Sequence, residues 1–218
     1  MMGTKLICID PESEYRDLCH ALGGDWIDAV GGRGKAAGMI NPLQIRPSPR
    51  DDDDEKEKLY KDEGHGLNDM AMHIKNVEIF FNLYIPRLSD MQRALLMKSL
   101  VELYNQFDIT WDTDITAMKP TDFPIMSDLY NLIQKKAASE KGQPAYNELV
   151  ALLHNIAEGA DSFIWNGHTT IKTTSRFICL DTHGLQGMSD NIKRAQYHNL
   201  NCWSWEQMSQ DRSERVMM

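Results

Sequence analysis

With 218 residues, 42% of them hydrophobic, the chain is long enough to bury one sizeable core and a smaller second lobe. Its formal net charge of −9 and pI near 5.2 argue against a general binder of the nucleic-acid backbone, which depends on Lys and Arg to neutralise phosphates. No apolar run approaches the roughly 18 residues of a membrane span, and no charged region followed by an apolar signal segment opens the sequence. Cys8, Cys19, Cys179 and Cys202 are scattered, so the expectation is a soluble, cytoplasmic protein with reduced, buried thiols.

Leu6, Ile7, Cys8 and Ile9 run without polar alternation, as in a parallel strand covered on both faces, and the run stops at Asp10. The carboxyl edge of such a sheet is where ligands bind, because loops and helix N-termini converge there. Pro11 suits a first helical turn, Asp10 or Ser13 can cap it, and Glu12 and Glu14 complement its dipole. A capped strand-to-helix turn and a ligand-binding edge are thus both open readings of Asp10. Gly23-Gly24 ends that helix. Further on, Gly34-Lys35 tempts a phosphate-loop reading, but Ala29 stands where the first glycine belongs and Ala36 where the magnesium-binding hydroxyl belongs. The acidic run from Asp51 reads as a solvated loop or helix start, since it lacks the alternating ligands and glycine of a calcium loop.

Residues 57–160 read as an all-helical block. Leu67, Met70, Ile74, Val77, Phe80 and Phe81 recur at helical steps. Ser89 and Gln92 form a capping box ahead of a buried stripe of Met91, Leu95, Leu96, Ser99, Leu100 and Leu103. Ser127 is the expected cap of a third helix. Tyr146 to Glu158 makes a fourth, with Leu149, Leu152, Leu153 and Ile156 on one side and Gly159 at its end. His65, His73 and His154 sit in no metal-ligand spacing and are expected at surface or capping positions.

The final third returns to α/β character. Asn166-Gly167 between apolar flanks signals a hairpin. Arg176 to Asp181 is a second buried strand ending in an aspartate, with Asp181 or Thr182 as a helix cap or part of the same crevice. Ser189 to Arg212 is an amphipathic helix whose apolar positions are Ile192, Ala195, Leu200, Trp203, Trp205 and Met208. Arg212 and Arg215 complement the dipole at its end or reach a neighbouring subunit. The sequence opens on a core strand and closes on Val216-Met-Met as another begins, so it reads as excised from something longer.

Five segments in this order carry a resemblance: Ile9 to Tyr15, Met39 to Gln44, Ser162 to Thr169, Arg176 to Asp181, and Asp211 to Arg215. They resemble the large ATPase of conjugative type IV secretion systems, the fourth VirB component, in the HerA/FtsK branch of RecA-like ATPases. In that family a Walker A loop lies just before the strand that matches Lys5 to Ile9, and a Walker B strand ending in Asp-Glu lies just after the residue that matches Met218. Neither motif is in this sequence, and the arginine finger lies downstream too. Both Walker motifs are needed to hold phosphates, magnesium and water, so the resemblance implies a chain that is inactive alone. The family pattern Asp-Pro-x-Gly-Glu-Tyr is matched by Asp10, Pro11, Glu14 and Tyr15, with Ser13 in the glycine's place.

By resemblance, Asp10 and Glu14 are the candidate catalytic residues near the γ-phosphate and magnesium, and Tyr15 and Asp181 the candidate cofactor-binding residues. The implied cofactors are ATP and Mg in the parent protein, with none bound tightly by this chain and no metal held by it alone. Implied partners are subunits of a homo-oligomeric ring, a coupling protein and secretion-channel components, with an indirect role in DNA transfer and peripheral association with the inner face of the cell membrane. The expected fold class is α/β, a partial RecA-like parallel sheet with an inserted all-helical lobe: residues 1–56 and 161–218 for the α/β part and 57–160 for the insertion. The rival is a helical docking module without a catalytic role, marked by an exposed apolar patch between Leu67 and Tyr104. A stand-alone metalloenzyme would need His and Cys ligands to converge.

Overall fold

The computed structural model describes residues 4–31, 38–47, 69–139, 143–171, 175–209 and 216–217. Strands β1 (Lys5–Asp10), β2 (Asp25–Asp28), β3 (Phe177–Asp181) and β4 (Val216–Met217) form one sheet in the order β2-β3-β1-β4, with every neighbouring pair parallel. Between β1 and β2 lies the short helix α1 (Arg16–Ala21). The longer helices are α2 (Asp69–Tyr84), α3 (Asp90–Gln106), α4 (Met126–Ser139), α5 (Pro144–Ala157) and α7 (Asp190–Ser209), with the single turn α6 (Ser162–Trp165) after α5. The α/β class is as the apolar runs indicated.

Side-chain alternation divides the sheet. Ile7, Ile27, Ile178 and Leu180 face Leu200 and Trp203 of α7, while Cys8, Trp26, Phe177 and Cys179 face Cys19 of α1. All five residues of β3 are buried, as its apolar run requires. Cover of β1 is thinner than expected. Leu6 is 38% exposed, in a groove it lines with Tyr15 and Leu18.

The larger core belongs to the helices. Phe80, Phe81, Leu96, Tyr104, Ile133, Tyr146 and Trp165 are buried together in it, with Leu43, Ile45 and Ala195 drawn in from segments that flank the sheet. Trp165 meets Phe80 edge-on at 5.2 Å and Tyr84 at 5.3 Å. Its indole N–H donates to Gln196 Oε1 at 2.6 Å, and the Gln196 amide in turn donates to the Ala29 carbonyl just past β2. Truncating a side chain so enclosed costs about 3–5 kcal/mol.

Several local expectations change. The Ser89–Gln92 capping box forms with both hydrogen bonds. No hairpin forms at Asn166-Gly167: Asn166 has φ −88°, where the tight hairpin turn needs a positive value. Asn166 is held instead as a bridge, accepting the Ser127 N–H and donating to the Ala157 carbonyl. That contact uses the Ser127 amide; Ser127 lies inside the first turn of α4 and does not precede it, and Asp128 reaches back to accept the Ile125 N–H ahead of the helix. α1 starts at Arg16 and not at Pro11, because Ser13 has φ +58° and breaks the helical path. Met91, Leu152 and Trp205, expected in the cores, are 60%, 36% and 56% exposed. His65, Leu67, the Asp51 run, Lys35, Arg212 and Arg215 lie outside the described residues.

His73 is buried, against the expectation of a surface or capping position. Tyr104 donates its hydroxyl proton to the Leu43 carbonyl at 2.6 Å, which leaves His73 Nε2–H as donor to Tyr104 at 2.8 Å. Burial, and then the charge of Arg46, hold its pKa down from 6.5 to about 3. Below pH 6.5 the unfolded chain therefore binds a proton that the folded chain refuses, so the His73 contribution is complete above that pH and is lost as pH falls towards 3. Urea unfolding of the wild type should lose up to about 1.4 kcal/mol per pH unit below pH 6.5 relative to His73→Gln. Parallel profiles for the two proteins would place the imidazole in water.

Candidate functional site at the carboxyl edge of the sheet

All three longer strands end on aspartates at matching positions: Asp10 pairs with Asp181, and Asp181 with Asp28. Each carboxylate closes the turn that follows its own strand. Asp10, 1% exposed, accepts the Tyr15 N–H at 2.9 Å. Asp181 accepts the His183 N–H at 2.7 Å through Oδ1, and Asp28 accepts the Val30 N–H at 3.1 Å. Turns of this kind follow from the ability of Asp to hydrogen-bond backbone two or more residues on. Asp28 was overlooked in the sequence, although Asp25-Trp-Ile-Asp28 carries the same signal of an apolar run stopped by a carboxylate.

The two central turns are also joined to each other. The Ser13 hydroxyl donates to Asp181 Oδ2 at 2.6 Å, and Thr182 N–H donates to the Asp10 carbonyl at 2.9 Å. His183 Nδ1 and Gln186 Nε2 lie 3.3 and 3.4 Å from the Pro11 carbonyl. Asp10 and Asp181 are thereby brought together, with Glu14 and Tyr15 on the turn between β1 and α1. Glu14 is exposed. Tyr15 is 43% exposed and lines an apolar groove of about 450 Å³ with Leu6, Cys8 and Leu18.

Beneath the edge the Cys179 thiol sits 3.9 Å from Asp10 Oδ2 as its donor. Burial, and then Cys8 and Asp10 nearby, push the Cys179 pKa up to about 12, and burial likewise raises Cys8 and Cys19. These thiols stay protonated and free of disulfides. Among the described residues no three His, Cys, Asp or Glu side chains are arranged to hold a metal ion.

A second cavity, of about 440 Å³, opens between α2 and α7 and was not foreseen. Met72 and Trp205 line it, and Arg46 pairs with Glu206 at 3.1 Å in its wall. Burial lowers the Arg46 pKa and raises that of Glu206. Its position away from the strand ends separates it from the three aspartates.

Much of what looked like motif is scaffold. Met39 and Asn41 donate their N–H groups to the Thr170 and Thr169 hydroxyls, so the two segments that carry the resemblance in the middle of the chain hold each other. Asn41 is fully buried, and its side chain donates to the Pro124 carbonyl while accepting the Leu43 N–H. Gly31, at φ +82°, presses on the Phe163 and Ile164 backbone, where a Cβ would collide.

In fold and sequence together the chain is similar to a solved structure of VirB4 of Thermoanaerobacter pseudethanolicus, with a TM-score of 0.83 and 39% identity over 97% of this chain. The chain is VirB4-like. It spans about half the length of that relative, 51% of which is covered. No protein-family model matches the sequence, and no curated protein matches it. Among the described residues of this VirB4-like chain, no helix is long and apolar enough to cross a membrane.

The edge geometry separates two kinds of carboxylate. Asp10→Ala removes a buried carboxylate that holds the Tyr15 N–H and should destabilise the chain by about 1–3 kcal/mol. Glu14→Ala, at an exposed position, should stay within about 0.5 kcal/mol. Urea midpoints measure both, and equal losses would contradict the division.

Proposed function

We propose that this VirB4-like chain forms part of an ATP-driven component of a type IV secretion machinery. The observation that carries the reading is 39% identity to VirB4 across 97% of the chain, joined to a parallel sheet whose strands end on clustered carboxylates. The carboxyl edge of an open parallel sheet is the general place for a nucleotide. In this reading the sheet is the RecA-like part, and residues 57–160 are a helical insertion into it.

When bound, Mg-ATP would supply the phosphoryl group and the metal charge. The oxygen-only chemistry of the edge carboxylates suits the hydrated magnesium ion. Glu14, exposed and carried on a fixed turn, is the group available to orient a water or a magnesium-bound water. Asp10 holds that turn through Tyr15 N–H and supports Glu14 from behind. Tyr15 presents its ring at the rim. Asp181 already accepts from Ser13 and His183, so it shapes the crevice while Glu14 faces the ligand. A phosphate cradle must come from a Walker A loop beyond these residues, and the chain by itself turns over no ATP.

The working partners in this proposal are further copies in a homo-oligomeric ring, a coupling protein and channel components, at the cytoplasmic face of a membrane. A docking role for the helices, in place of catalysis, draws on Met72 and Ile79 of α2, 44% and 46% exposed.

Calorimetry with Mg-ATP separates the readings. The 218-residue chain should show no binding, while a version extended through flanking strands that include a phosphate loop should bind and hydrolyse ATP. Glu14→Gln in that longer protein should lower kcat by about 10²-fold or more, the scale of a lost acid, base or water-positioning group. Tight Mg-ATP binding by the short chain would overturn the need for an added cradle. Absence of binding by the longer one would leave the docking role standing.

A further inference from the structure

We propose that Ser13 is a positioning residue, which acts through Asp181 to hold the turn that carries Glu14. Its functional consequence rests on the ATPase reading above, while the clasp itself belongs to this chain alone. Ser13 has φ +58°, a conformation in which glycine is at ease and an L side chain is strained. Nothing in the path of the backbone calls for a hydroxyl there. The hydroxyl is nevertheless engaged, donating to Asp181 Oδ2 at 2.6 Å across from the neighbouring strand end. Asp181 cannot swing to follow a moving turn, since its other oxygen accepts the His183 N–H at 2.7 Å and the residue is only 7% exposed.

The rest of the turn is fixed at both sides of Glu14. Tyr15 N–H is held by Asp10, and the Pro11 carbonyl faces His183 and Gln186. Glu14 therefore stands between two anchored neighbours, with only its exposed side chain free to move. Both Asp181 oxygens are used by the clasp, which makes Asp181 an anchor for the turn and leaves ligand contact to Glu14. A misplacement of about 1 Å in a water-orienting group is enough to cost a large factor in rate, so a clasp on the adjacent residue acts on kcat.

Two measurements test this. In the 218-residue chain, ¹⁵N relaxation should give the Glu14 amide an order parameter near about 0.85 in the wild type and below about 0.6 in Ser13→Gly. Ser13→Asn, which tolerates the positive φ and brings a donor amide within reach of Asp181, should restore the order. In the longer ATP-hydrolysing protein, Ser13→Gly should lower kcat about tenfold with KM unchanged, the sign of an interaction used in the transition state. Ser13→Gly placed on Asp181→Ala should add no further loss. An ordered Glu14 in Ser13→Gly, or losses that simply add in the double variant, would overturn the proposal. If the longer protein hydrolyses no ATP, the ATPase reading fails, and the relaxation measurement still decides the clasp.

Discussion

Three parallel strands that end side by side on aspartates impose the central constraint on this molecule. Asp10 and Asp181 are buried there, and a buried carboxylate needs donors close at hand. The chain supplies them from its own backbone: Tyr15 N–H for Asp10, His183 N–H for Asp181 and Val30 N–H for Asp28. The path of each turn is set by that need. It explains why α1 starts five residues beyond the proline that could have opened it, and why Ser13 occupies a left-handed conformation.

The helical core serves the same edge from behind. Trp165, Gln196 and the Ala29 carbonyl form a continuous link from the aromatic cluster of α2 to the turn after Asp28. The segment from Gly38 to Pro47 is sewn to both sides, through Asn41 to Pro124 and through the Asn199 amide to the Ile40 carbonyl. Buried side-chain amides with all these partners specify one arrangement of helices on the sheet, because each would be costly to leave unpaired. The segments Met39 to Gln44 and Ser162 to Thr169, which point to the family, earn their place as this framework.

How much of this was legible depends on whether the signal was local. The apolar runs of β1 and β3, the Ser89–Gln92 box and the Gly23 stop were readable because neighbouring residues determine them. Asn166-Gly167 was misread because its turn preference yielded to hydrogen bonds with Ser127, 39 residues away, and with Ala157, and to burial of the adjacent Trp165. His73 was misplaced for a similar reason, since its partners Tyr104 and Leu43 are distant in sequence. At the candidate site, Asp10, Glu14, Tyr15 and Asp181 were named from strand ends and from the family pattern. That Asp181 is tied to Ser13, and that Asp28 joins the row, required knowing the order β2-β3-β1.

A nucleotide role for the row of strand ends requires the phosphates to lie beside it. A crystal structure of a longer VirB4-like protein containing these residues, with magnesium and a non-hydrolysable ATP analogue, measures that directly. The γ-phosphate should lie at the carboxyl edge of β1 and β3, with the Glu14 carboxylate reaching it through one water and the Ser13–Asp181 hydrogen bond intact. A nucleotide seated in the cavity beside Arg46 and Trp205, or a Glu14 turned away from the phosphates, would contradict it.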